Sequence, residues 1–253
     1  MGCKALLVTA AGVLGLTVCS CSYPHYAGPL RPASEQAAQM AVADDGTVTF
    51  TKDRLEISVR PMSDEELDRR YTSQTATGAA PTNPYTFAGA DVEQYGQRPQ
   101  RFTVFLLKVK NYAYPKIRLD PARIVLRASN GREYWSLGMQ QLDSYFRAYA
   151  IGFRGNEYSR YQAYLDLLVR TMFQDADVFS GQETEGFVLF PTLHPDVRAL
   201  SLEVLEAHLR FDYANQPVET VQVSYRFTRD IGRALRAAEQ LEVGNVLIND
   251  SAT

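Results

Sequence analysis

The stretch Phe102-Thr103-Val104-Phe105-Leu106-Leu107-Lys108-Val109-Lys110-Asn111 is apolar at nearly every position until Lys108. In a strand, neighbouring side chains point to opposite faces. A run apolar on both faces therefore predicts a central strand covered on two sides near its middle. Outward from it the period of two returns repeatedly. Upstream, residues 46–50 and 55–59 read as strands, with Leu55, Ile57 and Val59 on one side. Downstream, Asp120-Pro121 marks a turn, and Ile124, Leu126 and Ala128 alternate with Val125 and Arg127. Asn130-Gly131 predicts a two-residue hairpin turn, because both central residues of a type I′ turn need positive φ. Tyr134 and Trp135 open the return strand. Residues 186–190 form a short apolar strand stopped by Pro191, and Leu200, Leu202 and Val204 alternate again. Ala207, Leu209, Phe211 and Tyr213 share a face. After the Asn215-Gln216-Pro217 turn, Val221, Val223, Tyr225 and Phe227 repeat the rule. Many short strands at this spacing predict a β-sandwich.

Helical spacing interrupts the pattern. Ser63 followed by Glu66 is a capping-box signature for a brief helix containing Leu67, and Asp64, Glu65, Glu66 and Asp68 suit its first turn. Leu142, Tyr145, Phe146, Tyr149 and Phe153 are spaced by three and four, as are Tyr158, Tyr161, Leu165, Leu168 and Met172. Gly155 can end the first helix and Asn156 can cap the second. Residues 139–173 thus read as a helical hairpin inserted between two strands. A short C-terminal helix is expected over 230–241, with Asp230 as its N-cap. The polar stretch 72–99, dense in Thr, Ala, Gly and Pro, is too long for a plain loop in a compact domain, and reads as a mobile or a functional excursion.

The chain has 253 residues, with 26 basic and 29 acidic side chains and a net charge of −3. That balance is globular and offers no basic footprint for nucleic acid. At the N-terminus, Lys4 precedes an apolar run over 5–18. A short positive head before such a run is the pattern of a secretory signal, and the run is shorter than the ~20 residues of a membrane-spanning helix.

Val18-Cys19-Ser20-Cys21 resembles the lipobox of bacterial lipoproteins. The resemblance implies cleavage between Ser20 and Cys21, and acylation of Cys21 with a diacylglyceryl group and an amide-linked chain such as palmitate. One acyl chain holds a protein only marginally, whereas three on one cysteine anchor it firmly to a membrane. Ser22 stands where similar lipoproteins retained in the inner membrane carry aspartate, so the resemblance implies the outer membrane, facing the periplasm or the outside. Residues 1–20 are then the signal peptide. Residues 21–45, rich in Pro, Ala, Gly and Gln, read as a tether with a short helix near 34–40, and Tyr23 and Tyr26 lie beside the lipid. The folded body is expected over 46–241, with a tail at 242–253.

The body resembles the immunoglobulin-like modules of exported bacterial proteins. The resemblance lies in the run 102–111, Ile117-x-Leu119-Asp120-Pro121, Asn130-Gly131, Tyr134, Gly181-x-Glu183 and Gly186-Phe187-Val188-Leu189-Phe190-Pro191. It implies an immunoglobulin-like β-sandwich, from which the inserted hairpin departs.

No nucleophile elbow, zinc-protease motif or P-loop occurs. His25, His194 and His208 are dispersed in the sequence, and the acidic group Asp175, Asp177, Glu183 and Glu185 lacks the spacing of a known calcium loop. No metal, cofactor or catalytic residue is expected, and the chain reads as a non-enzyme. Tyrosine suits half-exposed contact surfaces. Tyr145, Tyr149, Tyr158, Tyr161 and Tyr164 are therefore the candidate partner surface, set against simple inward packing. The leading expectation is a lipid-anchored envelope module that binds a protein partner or has a structural role. The alternatives are a periplasmic small-ligand-binding protein, with a cavity lined by Tyr158, Tyr161 or Trp135, and an envelope hydrolase using paired carboxylates.

Overall fold

The computed structural model describes residues 26–76, 81–87, 100–152 and 157–232. In chain order these form β1 (Tyr26–Ala27), β2 (Arg31–Pro32), β3 (Met40–Val42), β4 (Val48–Lys52), β5 (Leu55–Met62), α1 (Asp64–Arg70) and α2 (Thr72–Ala76). Next come β6 (Thr103–Asn111), β7 (Lys116–Leu119), β8 (Ile124–Ala128), β9 (Glu133–Trp135), α3 (Met139–Gly152) and α4 (Glu157–Thr171). Finally come β10 (Asp177–Phe179), β11 (Gln182–Phe190), β12 (Ala199–Phe211), β13 (Pro217–Thr228) and β14 (Ile231–Gly232). One antiparallel sheet runs β11-β6-β5-β4-β3. The other runs β10-β7-β12-β13-β2, with β8 also pairing β12 and β9, while β1 and β14 pair with each other. Among the described residues, no helix is long and apolar enough to cross a membrane.

The two sheets enclose a shared core. Phe105, Leu107 and Val109 of β6 and Phe190 of β11 belong to one cluster with Leu202 and Leu209 of β12 and Tyr225 and Phe227 of β13. The opposite face of the first sheet is also covered. There Val104, Phe187 and Leu189 pack with Leu67 of α1, Leu142 and Phe146 of α3, and Leu168 of α4. A second apolar layer on the same sheet explains why β6 is apolar on both sides. Each fully buried side chain of this size contributes about 1.5–3 kcal/mol. The fold is therefore mainly β, a sandwich of two antiparallel sheets.

Local chemistry sets the ends of several elements. Ser63 caps α1 with a reciprocal box, its Oγ accepting from the Glu66 N–H and its own N–H donating to Glu66 Oε2. Asp120 caps a short 3-10 turn at Pro121–Arg123. Asn111 is fully buried and uses both ends of its amide. Its Nδ2 donates to the carbonyls of Tyr114 and Val178, each at 2.9 Å, and its Oδ1 accepts from the Tyr114 N–H at 3.0 Å.

The structure departs from the sequence reading in several places. The β8–β9 connection is a three-residue loop: Ala128 and Arg132 are joined by a backbone hydrogen bond, and Gly131 has φ +82° while Asn130 is not left-handed. This is a type I turn closed by a left-handed glycine, with the Asn130 side chain accepting from the Arg132 N–H. The two runs 200–204 and 207–213 belong largely to one strand, β12, with a register shift between Val204 and Ala207. A bulge adds a residue and reverses which parity faces the core, which is why the apolar positions change from even to odd numbers. Within the expected tether, β1, β2 and β3 pair with β14, β13 and β4. No helix forms over 34–40, and the Gln36 amide instead bonds the Arg226 backbone on the edge of β13. Ile231 and Gly232 are a strand where the terminal helix was expected to begin; 233–241 and the tail lie outside the described residues.

Candidate functional site

Among the described residues, β11 has a strand neighbour on one side only. Its other edge is met by the chain on either side of the two helices. The Leu137 N–H, ahead of α3, donates to the Leu189 carbonyl at 2.7 Å, and the Phe173 N–H, after α4, donates to the Phe187 carbonyl at 3.0 Å. An open strand edge is a template for foreign pairing, and these two bonds occupy it at Phe187 and Leu189. The approach of residues 172 and 173 leaves no room for a β-carbon at Gly186.

At this junction lies a cavity of about 140 Å³, lined by Leu137, Met139, Met172, Phe173, Phe187 and Pro121 among others. Apolar cavities of roughly 150 Å³ accept one benzene-sized group, while drug-like ligands take ~300–1,000 Å³. Its polar lining is already engaged. Ser136 Oγ donates to the Pro121 carbonyl at 2.6 Å, and Asp175 accepts two bonds from Arg118 at 2.7 and 2.8 Å. The Arg118 guanidinium holds the Asp175 carboxyl below the usual range, and Asp175 in turn raises Arg118. The cavity is not lined by Tyr158, Tyr161 or Trp135.

The candidate tyrosines are divided between core and surface. Tyr161 is buried, and its hydroxyl donates to Asp143, a bond that pushes the phenol pKa up. Tyr145 is half-buried with its ring 5.2 Å from that of Phe102, and Tyr164 is half-buried with its hydroxyl donating to the Pro81 carbonyl at 2.9 Å. Tyr158 is 69% exposed. The side chain of Tyr149 lies outside the described residues, as do Ser20, Cys21 and His25.

The acidic group is dispersed onto separate cations. Asp175 meets Arg118, Asp177 meets Lys116 at 3.2 Å, Glu183 meets Lys108 at 3.0 Å, and Glu185 meets Arg70 at 3.3 Å. His194 Nδ1 lies 2.5 Å from Asp196, and His208 Nδ1 lies 3.0 Å from Thr220 Oγ1. Among the described residues, no group of three or more His, Cys, Asp or Glu could hold a metal ion.

Sequence reasoning missed the fold of residues 81–87. Asn83, Tyr85 and Thr86 are buried against the helical layer. Asp68 Oδ1 accepts from Thr86 Oγ1 at 2.6 Å, Asn83 Nδ2 at 3.3 Å and Thr75 Oγ1 at 3.4 Å. Tyr85 packs its ring 5.1 Å from that of Phe187, and burial pushes its phenol pKa up. Arg101 lies over Phe87 at 4.3 Å and faces Phe146 and Tyr164 at 5.4 and 5.6 Å. The available signal was Asn83-Pro84-Tyr85, a turn dipeptide and an aromatic ring inside an otherwise polar stretch. The remaining parts of the 72–99 stretch, 77–80 and 88–99, lie outside the described residues.

No family model matches the chain, and comparison with curated proteins and with solved structures yields no match either.

Proposed function

We propose that the chain is a lipid-anchored protein of the bacterial cell envelope, acting as a non-enzymatic interaction or structural module. Its body is an immunoglobulin-like sandwich and its insertion a helical hairpin. One observation carries the reading: the lipobox-like Val18-Cys19-Ser20-Cys21 ends just ahead of a folded body, with residues 22–25 between Cys21 and β1. Acyl chains on Cys21 hold that body at a membrane, and Ser22 favours the outer one. The pairing of each acidic candidate with its own cation supports a non-catalytic role.

For a protein partner, the outward side of α4 is available. It carries Tyr158 and Val169, 69% and 57% exposed, three helical turns apart on one side. The cavity at the helix bases supports a second reading, binding of a small apolar group, with room for one ring.

Labelling with a palmitate analogue tests the anchor. Wild-type protein takes up label and floats with membranes, and Cys21→Ala does neither. A native product with an unacylated start, or with the leader still attached, overturns the reading.

A further inference from the structure

We infer that the end of the sandwich bearing β1 and β14 is a phospholipid-facing surface, with Arg31, Arg198 and Arg226 presented to headgroup phosphates. This rests on acylation of Cys21. Residues 22–25 separate Cys21 from Tyr26, and at ~3.3–3.6 Å per residue the chain can span at most about 18 Å. Tyr26 and Ala27 are pinned to Gly232 and Ile231 of β14. β14 follows directly on the end of β13, where Thr228 pairs with both Arg31 of β2 and Ala199 of β12. The anchor therefore keeps the start of β12, the end of β13 and the Ser129–Gly131 loop near the bilayer, the Ser129 N–H donating to the Ala199 carbonyl. The opposite end, at the turn after Phe211, lies one length of β13 away. Twelve residues of strand make about 36 Å, well beyond the reach of the spacer.

The chemistry of the near end fits anionic phosphate. Arg31, Arg198 and Arg226 are exposed, and none has a carboxylate partner among the described residues. Among the described residues, most other arginines are committed, as Arg60, Arg118, Arg127 and Arg210 are to Glu66, Asp175, Glu203 and Glu219. Of the acidic groups of this end, Asp196 is engaged by His194, Arg132 and Asn130, and Asp45 by the Thr47 N–H and, at 4.0 Å, by Arg60, while Asp230 is exposed between β13 and β14. Arg229 ties the loop down by donating to the carbonyls of His194 and Val197. Guanidinium pairs with phosphate oxygens in a planar, bidentate fashion that an ammonium does not reproduce.

The test uses lipidated full-length protein in phosphatidylcholine vesicles with and without phosphatidylglycerol. The three cysteines of the chain are Cys3, Cys19 and Cys21, so the acylated product has no free thiol and accepts a single label. A fluorophore at Ser129→Cys should lose most of its emission to a headgroup-borne quencher, while one at Tyr213→Cys should keep it. Equal loss at both sites, or loss at Tyr213 alone, overturns the orientation. A long Gly/Ser insertion after Ser22 separates tethering from contact. Quenching at Ser129 should persist with the insertion in anionic vesicles and vanish when Arg31, Arg198 and Arg226 are also changed to alanine. If the insertion alone abolishes quenching, headgroup contact is overturned. Flotation and acyl labelling of the same samples report the anchor independently, and far-UV circular dichroism confirms that each variant is folded.

Discussion

A β-carbon built on Gly186 would stand 2.4 Å from the backbone nitrogen of Phe173 and 2.5 Å from its α-carbon. The obstacle is main chain, which cannot rotate aside. Gly186→Ala must therefore push the exit from α4 off β11 and break the Phe173–Phe187 hydrogen bond. The expected cost is about 3 kcal/mol, at the upper end for overpacking, read from the urea midpoint. Amide exchange at Phe173 should quicken in parallel. Gly131→Ala is the control: nothing lies within 4 Å of its β-carbon, and only the φ of +82° resists, for about 1 kcal/mol. Equal costs at the two glycines would show that the close approach is not what matters.

Asp68 holds residues 83–86 through Oδ1, which accepts from Thr75, Asn83 and Thr86. Asp68→Ala leaves three donors without that partner, and hydrogen bonds to a charged group contribute roughly 1.5–3 kcal/mol. We expect a loss of about 2 kcal/mol and, more diagnostically, rapid proteolytic cutting within 72–87. Unchanged protease resistance would refute the pinning role.

Arg101 joins this segment to the helices. Its guanidinium lies over Phe87 and faces Phe146 and Tyr164, while Nη1 donates to the Asn83 and Pro84 carbonyls at 3.4 and 3.3 Å. Arg101→Ala should cost about 1–2 kcal/mol through lost stacking and stem packing. Arg101→Lys should recover only part, since an ammonium does not stack as a plane. Full rescue by lysine, measured by thermal unfolding, would assign the effect to charge alone.

Alkaline pH should unfold the protein progressively. Burial, with a lesser contribution from Asp53, pushes the Tyr114 pKa up to about 12. Burial alone raises Tyr225, whose hydroxyl donates to the Ile57 carbonyl at 2.7 Å. Both folded values exceed the ordinary 10.0. The stability tied to the neutral phenols is thus complete below that pH, and is lost as pH rises from it through the folded values. Urea midpoints should therefore fall steeply above pH 10. Tyr225→Phe should flatten part of that slope while costing about 1 kcal/mol at neutral pH. A slope identical to wild type would remove Tyr225 from the account.

Signals confined to a few neighbouring residues are legible without coordinates. The two-sided apolarity of β6, the Ser63–Glu66 cap and the three-and-four spacing in 139–173 depend on backbone period and local hydrogen bonds, and so does the parity change between Val204 and Ala207. The lipobox-like run ending at Cys21 is likewise a matter of adjacent residues. What lies against what is of another kind. Spacing puts Tyr161 and Tyr158 in one helix, yet a tyrosine turned to water and one turned to Asp143 look the same in a linear pattern. Tyr161 faces inward because α3 and α4 cover the second face of a sheet whose first face is already taken. Asp68 and Tyr85 find their partners through closures that no short window contains. The end we propose to face a membrane is defined by β1 pairing with β14, two segments some two hundred residues apart. Local chemistry reads along the chain, whereas a site forms where distant segments exclude water together.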